Sequence, residues 1–72
     1  MITYTATATE SEGWWTLQCV EVPGAISQVR ELHQAESMIR EAIAFVLGQP
    51  EATIDLAAIT ISGHSTRNSL LG

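Results

Sequence analysis

The chain opens on a strict alternation. Ile2, Tyr4, Ala6 and Ala8 fall on one side and Thr3, Thr5, Thr7 and Thr9 on the other. Period two with β-branched threonines predicts a half-buried strand over residues 2–9. The polar run Glu10-Ser11-Glu12-Gly13 reads as a hairpin loop. A second strand follows over 14–20, with Trp15, Leu17 and Cys19 on one face and Trp14, Thr16, Gln18 and Val20 on the other. Pro23-Gly24 marks a tight turn, and Ala25 to Val29 reads as a short third strand. Strands joined this closely predict an antiparallel meander.

The period then changes. Leu32, Ala35, Ile39, Ala42, Ile43 and Val46 recur at helical spacing, while His33, Glu36, Ser37, Arg40 and Glu41 fall mostly on the other side. Glu36 and Arg40 are placed to pair across one turn, acid first, an interaction worth about 0.3 kcal/mol. Gly48 and Pro50 supply the stop. No Ser, Asp or Asn immediately precedes Glu31, so the helix start is poorly capped. A last strand spans 53–62 and changes phase within itself. Ile54 and Leu56 occupy even positions, Ile59 and Ile61 odd ones. The shift near Ala57-Ala58 requires either a β-bulge or a strand apolar on both faces. Either suits a strand that leaves its own sheet to pair with a neighbour.

The expected architecture is therefore α+β, in the order β-β-β-α-β, with one helix packed on one face of an antiparallel sheet. Residues 1–62 form the domain and 63–72 a short polar tail.

At 72 residues the chain belongs to a size class in which one core supplies thin stability. A single cysteine, Cys19, excludes an internal disulfide, which leaves oligomerisation as the expected source of extra stability. Ala44 and Leu47 widen the helix's apolar face. With Ile54, Leu56, Ile59 and Ile61 of the last strand they are the candidate contacts of a homodimer or larger oligomer.

Charge narrows the partners. Eight acidic residues face three basic ones, for a net charge of −5. Lysine is absent, and Arg30, Arg40 and Arg67 are scattered. Phosphate neutralisation drives most nucleic-acid affinity, so an acidic chain is expected to avoid DNA and RNA and to meet a basic protein. No apolar run approaches the roughly 18 residues of a membrane span, and no signal peptide is visible, so the expected location is the cytoplasm.

Reactive chemistry is sparse. A two-metal nuclease needs converging carboxylates. Here Glu10 and Glu12 lie in a loop, Glu21 precedes a turn, and Asp55 stands on the last strand. His33, His64 and Cys19 lack the paired spacing of zinc ligands. His33 reads as an exposed helical residue, His64 as a tail residue and Cys19 as a small core residue. No catalytic residue, metal or cofactor is expected. Trp14, by contrast, points away from the helix onto a polar face, where a large aromatic serves as an interface anchor.

The stretch GWWTLQCVEVPGAISQ, followed by a helix containing L-x-x-A-x-x-x-I-x-E-A-I, resembles the HicB antitoxin family. The correspondence runs through Trp14-Trp15, the segment Glu21-Val22-Pro23-Gly24, Gln28, Ala35 and Glu41-Ala42. The resemblance implies a partial RNase H-like fold, oligomerisation, and a small basic HicA-type toxin that cleaves mRNA and is blocked by the bound antitoxin. Contact candidates for such a partner are Glu10, Glu12, Trp14, Glu21 and Gln28. Many HicB proteins add a C-terminal DNA-binding segment. The residues after Ser62, GHSTRNSLLG, are too few for one, so operator binding is not expected. The competing expectations are an interaction or regulatory domain of the same fold without a toxin, and a nucleic-acid-binding regulator.

Overall fold

A computed structural model describes residues 2–62. The tail expected over 63–72, with His64, lies outside the described residues. The elements are β1 (Thr3–Ser11), β2 (Trp14–Cys19), β3 (Ile26–Val29), α1 (Ala35–Leu47) and β4 (Asp55–Ser62), with short 3-10 turns at Leu32–Gln34 and Glu51–Thr53. The α+β order matches the sequence pattern. The sheet is four-stranded, in the order β3-β2-β1-β4, and α1 packs on one face of it.

The first three strands form the expected meander: β1 pairs antiparallel with β2, and β2 with β3. The expectation of a wholly antiparallel sheet is corrected at β4, which runs parallel to β1. The reason lies in the connection. A 13-residue helix spans about 20 Å, enough to carry the chain back along the sheet after β3. The next strand then starts from the same end as β3, and so points the same way as β1. The strand expected to leave for a neighbouring molecule instead lies within its own sheet.

The phase change in β4 is a bulge. Tyr4 lies opposite Leu56 and Thr5 opposite Ala58, so Ala57 is the extra residue. The bulge realigns the strand. Leu56, Ile59 and Ile61 come into register with Tyr4, Ala6 and Ala8, the buried positions of β1.

The core lies between the sheet and α1. Leu17, Ile39, Ile43 and Cys19 are its largest fully buried side chains. The alanines at positions 6 and 8 of β1 are also fully buried, and their small size leaves room for these larger groups. Trp15, Met38, Ala42, Leu56 and Ile59 pack around the cluster. Full burial of one such aliphatic side chain is worth about 1.5–3 kcal/mol.

Local signals shape the ends. Ser11 pairs with Trp14, so Glu12 and Gly13 alone make the β1–β2 turn. Both have positive φ, 54° and 85°, as a type I′ hairpin turn requires. Gly48 closes α1 at φ 69°. Its N–H donates to Phe45 O and the Gln49 N–H to Ala44 O, the paired bonds of a Schellman cap. At the other end Gln34 provides no side-chain cap. Leu32 and Val46, expected on the buried stripe, are exposed. Leu32 belongs to a 3-10 turn, where the helical period does not hold, and Val46 lies in the last turn. Among the described residues no helix is long and apolar enough to cross a membrane.

Candidate functional site: the open face of the sheet

Every second residue of the sheet faces away from α1, and among the described residues no helix or strand lies over that face. The strand registers set its rows. Trp14 lies at the β1–β2 hairpin end opposite Ser11. Thr9, Thr16 and Gln28 form the next row, and Thr7, Gln18 and Ile26 the one after. Thr60 of β4 extends the last of these from Thr7. The result is a ribbon of threonine hydroxyls and glutamine amides flanked by three exposed apolar groups, Trp14, Val20 and Ile26.

Trp14 is 40% exposed. The Arg30 guanidinium carbon stands 4.6 Å from its ring centroid, a cation–π contact that holds the indole against the sheet. The Gln28 amide lies 3.5 Å from the Thr16 hydroxyl. Gln18 donates through Nε2 to Pro23 O at 2.8 Å, tying the β2–β3 loop to the same surface. A shallow depression of about 270 Å³ beside this bond is lined by Thr7, Gln18, Cys19, Val20 and Pro23.

Of the residues singled out for partner contact, the fold gathers four at one end. Trp14 and Gln28 share the open face. Glu12 lies in the turn at the hairpin end, whereas Glu10, expected in the loop, belongs to β1 opposite Trp15 and so falls on the helix side of the sheet rather than on the open face. Glu21 lies at the far end, and both its oxygens are engaged. Oε1 accepts the Thr5 N–H at 2.7 Å and Oε2 the Thr5 hydroxyl at 2.8 Å. These bonds, the backbone one foremost, hold its carboxyl below the usual glutamate range. Its first role is to close the β1–β2 ladder where the β2 backbone ends.

Cys19 is buried, as its strand position predicts. Burial raises the thiol above its ordinary pKa. Its Sγ lies 3.6 Å from Glu21 Oε1. His33 is exposed, with Nδ1 3.6 Å from Glu31 Oε1. Glu36 and Arg40 form the expected pair at 2.5 Å. Among the described residues no three His, Cys, Asp or Glu side chains come close enough to share a metal ion.

The residues expected at an oligomer contact divide. Ala44 and Ile54, 7% and 4% exposed, are part of the chain's own core and have little surface to offer a second copy. The turn after Gly48 brings Glu51–Thr53 back against α1, and Ala44 and Ile54 both join the core cluster. Leu56 and Ile59 are half-buried at the core's margin, and Leu47 and Ile61 are exposed.

Sequence reasoning missed Arg30 and Ile26 as members of the open face, while strand alternation places Val20 there with Trp14, Thr16 and Gln18. Arg30 shares the strand parity of Gln28 and Ile26, so the third strand's alternation, extended by one residue, would have found it. Phe45, 86% exposed on the outer side of α1, was also missed. Compared with known proteins, the chain matches no family model, no curated protein and no solved structure.

Proposed function

We propose that this chain is a non-catalytic binding protein of the HicB antitoxin kind, which covers the RNA-facing surface of a small basic toxin. The observation that carries the reading is Trp14, which stands exposed on a sheet face that no helix or strand among the described residues covers, with Arg30 stacked on its ring. A preorganised aromatic loses little side-chain entropy on docking, and such residues dominate binding energy at protein interfaces. Glu12 in the adjoining hairpin turn supplies negative charge, and the chain as a whole carries −5. That charge speeds encounter with a basic partner and opposes phosphate. The sequence resemblance through Trp14-Trp15, Pro23-Gly24 and Glu41-Ala42 supports the same reading. The cytoplasm is the compartment in which an mRNA-cleaving partner would act.

The test is co-expression with the product of an adjacent basic open reading frame of toxin size. The expected result is co-purification at fixed stoichiometry and loss of the partner's RNA cleavage. Trp14→Ala should weaken the complex at least tenfold while the free protein keeps its fold. Failure to co-purify, or a complex indifferent to Trp14→Ala, overturns the reading.

A further inference from the structure

The two edges of the sheet differ. β3 offers four residues, flanked by the Pro23-Gly24 turn and by Arg30 and Glu31. β4 offers eight, and its edge away from β1 has no strand partner among the described residues. Natural edge strands are kept from pairing by lysine, proline, charge, shortness or a β-bulge, and β4 carries charge at Asp55 and a bulge at Ala57 in its first half. The stretch Ala58-Ile59-Thr60-Ile61-Ser62 has none of these, and it lies beyond the bulge, where its register with β1 is unbroken.

We infer that β4 pairs antiparallel with β4 of a second copy of this chain, about a two-fold axis at Thr60. The sequence itself favours this occupant, because the stretch is self-complementary when reversed. Ala58 falls opposite Ser62, Ile59 opposite Ile61, and Thr60 opposite Thr60. Like shapes meet at every position, and Thr–Thr and aliphatic pairs are favourable across strands.

Two further observations agree. Ile61 is 48% exposed and Ile59 half-buried, both on the helix side by register with Ala8 and Ala6. The two-fold would bring two such pairs together and continue the core across the junction. Next to them an open groove of about 310 Å³ runs between α1 and β4, lined by Glu36, Leu56, Ala57, Ala58 and Ile59. Electrostatics also restricts where copies carrying −5 each can meet. The stretch holds no charge, and antiparallel pairing sends the two Asp55 side chains to opposite ends. The junction leaves Trp14 uncovered and does not rest on the antitoxin reading.

Light scattering after gel filtration should give twice the 7.8 kDa chain mass. Because Thr60 meets its own copy, the two Cβ atoms there would lie roughly 5 Å apart, and like charges introduced at this position would stand directly opposite each other, which is destabilising. Thr60→Lys and Thr60→Glu should each halve the mass with an unchanged circular dichroism spectrum. An equimolar mixture of the two should restore the dimer. Thr60→Cys, tested in case a charged variant fails to fold, should give a disulfide-linked dimer on mild oxidation. A monomeric parent chain overturns the inference, including the case in which residues 63–72 cover the edge themselves. So does a dimer that survives both charged variants or that Thr60→Cys does not cross-link.

Discussion

The Glu21 carboxylate grips Thr5 with both oxygens, one on the backbone N–H and one on the hydroxyl. Directly opposite Thr5 the Val20 N–H donates to Thr5 O, and the Thr5 N–H donates in return to the glutamate side chain rather than to the backbone of β2. A charged side chain thus continues a β-ladder for one residue past the end of its strand.

That grip makes stability depend on pH in a defined direction. The folded protein holds the Glu21 pKa below its ordinary 4.5. The contribution is present in full above that value and is lost as pH falls through the lowered folded pKa. Glu21→Gln should therefore melt at a lower temperature than the parent at pH 7, and the gap should close in acid below the folded pKa. Melting curves across pH 2–7 check this, and a gap that widens in acid would contradict it.

Glu12 occupies left-handed backbone at φ 54° in a two-residue hairpin turn. Asparagine accepts that conformation more readily than glutamate, and Asn-Gly is the preferred pair for this turn. Glu12→Asn should stabilise by on the order of 0.5 kcal/mol. Urea denaturation should show the gain as a higher midpoint with an unchanged slope.

At Gly48 the φ of 69° is required by the helix cap, and a Cβ there would meet nothing within 4 Å. The cost of Gly48→Ala is therefore conformational, about 1 kcal/mol, with no steric addition. Gly48→Asn should recover part of it. A loss several times larger would mean that the cap carries tertiary contacts as well.

Two apolar residues of α1 should behave in opposite ways. Ile39 is fully buried and Phe45 is 86% exposed. Ile39→Ala should cost about 2–5 kcal/mol, a large part of what a small domain has. Phe45→Ser should change folding stability by less than roughly 0.5 kcal/mol. Comparable losses at the two sites would show that Phe45 is covered in solution.

Much of the core was legible in the chain. The alternation of Tyr4, Ala6 and Ala8, of Leu17 and Cys19, and the spacing of Ala35, Ile39 and Ile43 named much of the buried set, because burial on one face imposes its period directly, although Ile2, Leu32 and Val46 on the same stripes are exposed. Even the bulge at Ala57 was visible as a break in phase. Trp14 could be proposed as a contact from strand parity, Glu10 and Glu12 from their place near the hairpin, and Gln28 from the resemblance. Their gathering at one hairpin end could not, since it follows from pairing between strands.

Glu21 shows that limit most clearly. Its charge and place before Pro23-Gly24 suggested an outward contact. Its partner is Thr5, sixteen positions away, and only the closed hairpin brings the two within hydrogen-bond reach. The direction of β4 has the same origin. A period of two states that a strand exists and which side is buried. It holds no information about whether the neighbour runs parallel or antiparallel.

Sequence alone determined the elements, their buried faces and the acidic, lysine-free surface, because each of these is a property of residues close together along the chain. Tertiary structure alone decided the parallel seat of β4 beside β1, the enclosure of Ala44 and Ile54, the stacking of Arg30 on Trp14 and the position of β4 at the sheet edge among the described residues. Those features depend on where α1 returns the chain, and that is set by the packing of the whole domain.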